Sequence, residues 1–205
     1  MAEPHTREGG GGVARPRRTL YLNLLVLALT TIAVLAALWV TTAWRADPTP
    51  ADASAASAVD VPESRGPAPE IGAPAPHFRA ATLDDGTFDL AETNRPVWLI
   101  FNATWCANCR AEIPDVEAMH ARFGDEIAIV SVFLSDTETA VEDYRSALTL
   151  THTAVVDPNS EIGALYRAMG VPSHYFIAAD GTLQAIEVGV LTPAAMEEHL
   201  TALLP

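Results

Sequence analysis

The chain opens with a long uncharged stretch, followed by a segment poor in large apolar residues and then by alternating apolar and amphipathic runs. Residues 19–44 carry no charged side chain, and a helix needs about 20 apolar residues to cross a bilayer. Arginines directly precede this stretch, and Trp39 and Trp44 lie toward its far end. The positive-inside rule predicts a transmembrane anchor with a cytoplasmic N-terminus and an extracytoplasmic remainder. A cleaved signal peptide is the alternative, although its apolar core usually spans only about 7–15 residues.

The segments on either side of the predicted anchor have the composition of a tail and a linker. Residues 1–18 include a run of glycines and predict a cytoplasmic tail. Residues 45–70 are rich in Ala, Pro, Ser and Asp and predict a flexible linker. We therefore expect the folded domain over residues 71–205, which is long enough to build one core.

Within residues 71–205, strand patterns alternate with helix patterns. The turn sequence DDGT at 84–87 predicts a hairpin between strands at 78–83 and 88–90. Further strands are predicted over residues 97–102, 127–134, 153–156, 174–177 and 183–188. Helices are predicted over residues 110–123, 137–147, 160–169 and 193–204, the last after a Thr-Pro start signal. The pattern indicates an α/β fold, with a central mixed sheet flanked by helices and an antiparallel edge at the Asp180-Gly181 turn.

The charge of the chain limits the kinds of partner that it can bind. The net charge is −14, and no residue is lysine. From residue 19 onward, eight arginines stand against 24 acids. Such a surface repels phosphate groups, so we expect no nucleic-acid partner.

The two cysteines of the chain, Cys106 and Cys109, lie where the predicted strand 97–102 gives way to the helix 110–123. A helix N-terminus presents unpaired N–H groups and the positive end of the macrodipole. Both favour the thiolate, which is the nucleophilic form. The two-residue spacer lets the sulfurs meet across one helical turn, so the pair can cycle between dithiol and disulfide. Two cysteines do not complete a structural zinc site, so we predict redox chemistry and no bound metal.

The sequence FNATWCANCRAEIP at 101–114 resembles the active-site segment of thioredoxin-like proteins, most closely the membrane-anchored TlpA/ResA/CcmG (DsbE) group. The likeness continues through IGAPAPHF at 71–78 and MGVPSHYFI at 169–177, and it spans about two thirds of the chain. It implies a thioredoxin-like fold and a thiol:disulfide oxidoreductase that needs no cofactor.

The resemblance also implies roles for single residues. Cys106 would be the attacking thiolate, and Cys109 would resolve the mixed disulfide. Trp105 would cover the site. Pro172 would be a cis-proline facing Cys106, and the backbone of Val171 would pair with the bound polypeptide.

Two further residues near this motif are open to more than one interpretation. A glutamate at the position of Glu112 belongs to the active site of ResA-like proteins, where it would carry protons to or from Cys109. The alternative for Glu112 is a solvent-exposed helix acid. His174 replaces a residue that is usually small or apolar in the family. It would contact a substrate or a metal, although a strand histidine without a role is the main expectation.

Three departures from the family pattern affect the chemistry. The Ala-Asn spacer lacks the proline common before the second cysteine, which leaves the reduction potential open. Ile100 stands where thioredoxins carry a buried acid, so that proton route is missing. Asn102 replaces a tryptophan and begins a glycosylation sequon, which we interpret as chance because it lies on a buried strand.

Together these features predict a membrane-anchored, extracytoplasmic enzyme that reduces disulfides in secreted polypeptides. The resemblance implies apocytochrome c, during cytochrome c maturation, as the substrate and a CcdA/DsbD-type membrane protein as the electron donor. One alternative is a disulfide-forming oxidase, although the chain lacks the large helical insertion of DsbA-type proteins. Another is a Cu(I) chaperone that uses both thiolates, although Sco-type copper proteins space their cysteines by three residues.

Overall fold

A computed structural model describes residues 17–43, 59–61 and 68–205. The chain forms two compact units. In the first unit, α1 (Arg17–Ala43) is a single helix of 27 residues. Within the residues whose placement is described, no helix satisfies the length and apolarity needed to cross a membrane. The anchor over residues 19–44 therefore stays a prediction, and the tail predicted over residues 1–18 lies almost entirely outside the described residues.

In the second unit, which spans Ala53 to Pro205, the described residues form two sheets and four helices. The strands are β1 (Val59–Asp60), β2 (Arg79–Ala81), β3 (Thr87–Asp89), β4 (Val97–Asn102), β5 (Ala128–Leu134), β6 (Thr153–Asp157), β7 (Ser173–Ile177) and β8 (Leu183–Val188). The helices are α2 (Ala107–Phe123), α3 (Glu138–Leu148), α4 (Glu161–Tyr166) and α5 (Pro193–Leu203).

The larger sheet has the strand order β6-β5-β4-β7-β8. Strands β4, β5 and β6 are parallel, whereas β7 and β8 join antiparallel. Side chains alternate across β4 as strand geometry requires. Trp98 and Ile100 pack in the cluster formed with α2 and α5, whereas Leu99 and Phe101 pack with α4 and the small sheet. The predicted mixed sheet covered by helices is confirmed.

The smaller sheet contains the predicted hairpin and one unexpected strand. Strands β2 and β3 pair antiparallel around the DDGT turn, as predicted. Strand β1 pairs with β2, and Val59 and Val61 pack against the core. These residues lie within the segment predicted as a flexible linker, residues 45–70. Part of that segment therefore belongs to the folded unit, where its valines gain apolar burial.

The helix boundaries follow local backbone signals. Helix α4 ends at Tyr166, three residues before the predicted end, because Arg167 adopts a left-handed conformation with φ of 57°. Helix α5 begins as predicted, with Pro193 in its first turn and the Thr192 hydroxyl accepting a hydrogen bond from the Ala195 N–H. Helix α2 begins at residue 107, immediately after Cys106, so the predicted position of the cysteine pair at a helix start is confirmed.

Candidate active site

The end of β4 and the start of α2 bring the two cysteines together. Cys106 is the N-cap residue of α2, and its Sγ accepts a hydrogen bond from the Cys109 N–H at 3.1 Å. The two residues form a disulfide. Cys106 is 9% exposed and Cys109 is fully buried. A substrate can therefore reach Cys106 first, which agrees with the expected division between an attacking and a resolving cysteine.

A cis-proline loop faces the outer sulfur. The Val171–Pro172 peptide bond is cis, as predicted, and the carbonyl oxygen of Val171 lies 3.7 Å from Cys106 Sγ. The backbone of Val171 is thus next to the reacting sulfur, where an extended polypeptide would approach. The structure brings together four of the predicted site residues here: Cys106, Cys109, Val171 and Pro172.

An apolar groove of about 540 Å³ opens beside the cysteines. Trp105 and Val171, which flank Cys106, form one part of its wall. Trp105 is 70% exposed and Met169 is 94% exposed, which is unusual for large apolar side chains. The rest of the wall includes Leu134 at the end of β5, Ala164 of α4 and Ala168, which follows α4. Exposed apolar surface next to a reactive group marks a binding site for a partner molecule.

Glu112 lies one helical turn after Cys109 on α2, and its side chain is buried. Its Oε1 atom accepts a hydrogen bond from the Leu191 N–H at 2.6 Å. Burial raises the pKa of Glu112 to about 7, the Leu191 hydrogen bond acts against this rise, and the charge of Asp115 adds to it. The solvent-exposed alternative is therefore excluded. A carboxyl that titrates near neutral pH is suited to take or give a proton.

His174 is completely buried in β7, so it does not meet a substrate at the surface. Its Nε2 atom lies 3.1 Å from the carbonyl oxygen of Gly189 and 3.5 Å from Glu112 Oε1. Burial lowers the pKa of His174 to about 4, with the Gly189 hydrogen bond opposing this and the charge of His199 adding to it. The imidazole is therefore neutral at pH 7. The sequence did not predict this contact between His174 and Glu112, and whether His174 has a role stays open at this point.

Sequence reasoning missed Asp136, which follows β5. Its carboxylate accepts hydrogen bonds from both the N–H and the hydroxyl of Thr104, each at 2.7 Å. Thr104 precedes Trp105 and Cys106, so Asp136 fixes the loop that presents the reactive sulfur. An acid two residues after the end of a strongly apolar strand was the available signal, because parallel strands end at the same edge of a sheet.

A chain of hydrogen-bonded polar side chains, three of them buried and the fourth partly exposed, joins α2 to the sheet. Asn102 Nδ2 donates to Ser131 Oγ at 2.9 Å, Ser131 Oγ lies 2.7 Å from His152 Nε2, and His152 Nδ1 lies 2.5 Å from Glu117 Oε1. Burial acts to raise the pKa of Glu117, but hydrogen bonds from His152 and Thr151 lower it to about 2. Although the order resembles a hydrolase triad, Ser131 is fully buried, so the chain connects α2 to the sheet. Asn102 is buried as well, which agrees with the interpretation of its sequon as chance.

Comparison with known proteins places this geometry in a family context. Residues 71–186 match the AhpC/TSA family. The thiol-disulfide oxidoreductase ResA of Oceanobacillus iheyensis is 32% identical over 141 residues, which cover 66% of this chain and 73% of that protein. The thioredoxin-like protein YneN of Bacillus subtilis is 32% identical over 133 residues, covering 63% of this chain and 78% of YneN. The structure of a thiol:disulfide interchange protein DsbE from Chlorobium tepidum matches with a TM-score of 0.63 at 25% identity, covering 67% of this chain and all of that one.

Proposed function

We propose a reductive role outside the cytoplasm for this chain, which belongs to the AhpC/TSA family and is a thioredoxin-like thiol:disulfide oxidoreductase of the TlpA/ResA/CcmG type. In this proposal the enzyme is anchored to the membrane and reduces disulfides in secreted polypeptides. The Cys-x-x-Cys-His segment of apocytochrome c, before haem attachment, is the candidate substrate.

The observation that carries the reductive direction is the pair of buried carboxyl groups around the cysteines. Asp136 binds Thr104, two residues before Cys106, and Glu112 lies three residues after Cys109. Negative charge near a thiol disfavours its thiolate and so opposes the effect of the helix N-terminus. A disulfide is strongly oxidising when its reduced form is strongly stabilised. Weak stabilisation of the thiolate therefore favours a low reduction potential and electron flow toward the substrate.

The reaction begins with attack of the Cys106 thiolate on a substrate disulfide, which gives a mixed disulfide and releases one substrate thiolate. Glu112 then accepts the proton of Cys109, and the Cys109 thiolate attacks Cys106 Sγ. This step forms the Cys106–Cys109 disulfide and releases the second substrate thiolate. Two electrons pass to the substrate, and each released thiolate takes up a proton. The chain has no third cysteine, so we propose that a CcdA/DsbD-type membrane protein returns the electrons.

The apolar groove supports a polypeptide substrate. A substrate segment that extends along Val171 would place neighbouring apolar side chains against Trp105 and Met169. Main-chain pairing would supply affinity, and the groove would supply selectivity. The proposed anchor is supported by the uncharged run over residues 19–44 and by the arginines before it.

A peptide reaction tests this proposal. The reduced 205-residue chain, purified in mild detergent, is mixed with an oxidised Cys-x-x-Cys-His peptide, and peptide thiols are followed by mass spectrometry. We expect stoichiometric reduction of the peptide by the wild-type chain. Cys109→Ala should stop at a mixed disulfide through Cys106, and Cys106→Ala should not react. Failure of the reduced chain to reduce the peptide, while the oxidised chain oxidises the peptide dithiol, would support the oxidase instead.

The structure bears on both alternative functions. Between α2 and Pro172 the chain forms only β5, α3, β6 and α4, so the large helical insertion of DsbA-type oxidases has no counterpart there. In the described part of the chain, no group of three or more His, Cys, Asp or Glu side chains is arranged to hold a metal ion. A Cu(I) chaperone would therefore have to bind copper through Cys106 and Cys109 without a third ligand from these residues.

A further inference from the structure

Residues 189–191 lie in the loop between β8 and α5, and both backbone polar groups of Gly189 bond to β7 or to the proline just before it. The Gly189 N–H donates to the carbonyl oxygen of Pro172 at 2.9 Å. The Gly189 carbonyl oxygen lies 3.1 Å from His174 Nε2. Gly189 has a φ of 98°, a conformation that side-chain-bearing residues rarely adopt. The loop is therefore fixed to the strand that begins at the cis-proline.

The same loop supplies the hydrogen bond to the buried carboxyl group. Two residues after Gly189, the Leu191 N–H donates to Glu112 Oε1. Glu112 Oε1 and His174 Nε2 lie 3.5 Å apart. His174 Nε2 therefore lies between the Gly189 carbonyl oxygen and Glu112 Oε1, the atom that accepts the hydrogen bond from the loop.

The protonation of His174 follows from its neighbours. A carbonyl oxygen can only accept a hydrogen bond, so Nε2 must carry the proton that is donated to Gly189. In the neutral ring Nδ1 then carries no proton, and this buried atom has no hydrogen-bond partner among the described residues. An unpaired buried acceptor costs free energy. A buried apolar side chain would avoid this cost, so the donor at Nε2 is the feature that distinguishes histidine here.

We propose that His174 is a positioning residue for the proton transfer at Glu112: its Nε2–H holds residues 189–191 so that the Leu191 amide stays on the Glu112 carboxylate. This inference rests on the proposed function, in which Glu112 accepts the proton of Cys109. His174 itself keeps its proton throughout the reaction. Its role is to keep the ionised form of Glu112 accessible in a buried site, where desolvation opposes the charge.

Other titratable groups lie around this cluster. The charge of Asp115 acts on Glu112 from α2. Burial raises the pKa of Tyr144 on α3, and the charge of Glu112 in turn adds to this rise. His199 of α5 acts on His174 and lies 3.5 Å from Glu187 of β8. The test therefore changes only the donor at Nε2 and leaves these groups in place.

A matched pair of variants tests the proposal in the full chain. His174→Met has a similar volume but no donor, whereas His174→Gln can place its amide N–H near the position of Nε2. The first readout is the pH dependence of the rate at which Cys109 resolves a Cys106–peptide mixed disulfide. The second is the exchange rate of the Leu191 amide, followed by NMR in leucine-labelled protein. His77→Met serves as the control, because His77 is an exposed histidine outside the cluster.

We expect the wild-type rate to rise through an inflection near pH 7. His174→Met should move that inflection upward by about one pH unit, so that the rate at pH 7 falls about fivefold. The Leu191 amide should exchange faster in the same variant. His174→Gln should restore both properties, and His77→Met should change neither. If His174→Met does not fold, His174→Asn replaces it, because its shorter amide does not reach Gly189.

Three results would overturn the inference in distinguishable ways. An unchanged inflection in His174→Met, with Glu112→Gln abolishing the inflection, would show that Glu112 acts without His174. Equal shifts in His174→Met and His174→Gln would show that packing rather than the donor matters. If Glu112→Gln itself leaves the inflection in place, the proposed role of Glu112 fails and the role of His174 fails with it.

Discussion

Replacement of Glu112 by Gln should make the oxidised protein more stable at alkaline pH. The carboxyl group has an ordinary pKa of 4.5 and a folded-state pKa of about 7. Because the folded pKa is the higher one, the folded state binds this proton more tightly than the unfolded state. Ionisation of Glu112 therefore lowers the free energy of unfolding. This loss is absent well below pH 4.5, grows as the pH rises and reaches its full size above pH 7. Gln keeps an oxygen that accepts the Leu191 hydrogen bond and removes the ionisation.

The size of the effect follows from the two pKa values of Glu112. From these two values, ionisation of Glu112 lowers the free energy of unfolding by about 0.8 kcal/mol at pH 5 and by about 3.3 kcal/mol at pH 8. The side chain is 1% exposed, so solvent does not screen this cost appreciably. The stability difference between Glu112→Gln and the wild type should therefore grow by about 2.5 kcal/mol between these pH values.

Urea unfolding of both oxidised proteins at pH 5 and pH 8 measures this difference. Keeping the disulfide closed in every sample removes any contribution from thiol ionisation. Glu142→Gln is the control, because Glu142 is an exposed acid on α3. The reasoning is refuted if Glu112→Gln gains no more stability between the two pH values than Glu142→Gln does.

Three other changes should have separate effects. Glu117→Gln should destabilise the protein by about 2 kcal/mol at pH 7 in urea unfolding. The hydrogen bond from His152 lowers the folded pKa of Glu117 to about 2, so the wild type should lose stability as the pH falls from 4.5 to 2. The variant should not show this loss. An equal loss of stability in the variant would contradict the assignment. Asp136→Asn should raise the redox midpoint by about 30 mV, since it removes negative charge next to the Thr104 loop; a lower midpoint would contradict this reasoning. Met169→Glu should reduce kcat/KM for an apolar peptide disulfide about tenfold, whereas an equal effect on a small disulfide such as oxidised dithiothreitol would argue against the groove as the binding site.

The features that the sequence could predict are those expressed by neighbouring residues. The thiol pair at a helix start follows from a buried strand, two cysteines and an amphipathic run in succession. Thr192 and Pro193 predicted the first turn of α5 because capping is local. The cis-proline was predicted from a family motif rather than from the physics of the segment.

The contacts that the sequence did not predict depend on strand order. His174 lies under α2 because β7 joins β4 antiparallel and places His174 opposite Ile100. Asp136 reaches Thr104 because β5 and β4 are adjacent and parallel. Val59 and Asp60 form a strand because β2 offers a free edge, although their own segment is rich in small polar residues. Each of these contacts joins residues that are more than 15 positions apart in the chain.

The reductive role of the cysteine pair is the central claim, and its redox midpoint tests that claim most directly. The full chain is equilibrated in glutathione or dithiothreitol buffers, and the Cys106–Cys109 disulfide is quantified after thiol alkylation. We expect a midpoint near or below about −220 mV, in the range of glutaredoxins and thioredoxin. A midpoint near about −120 mV, typical of a strong oxidant, would contradict the account.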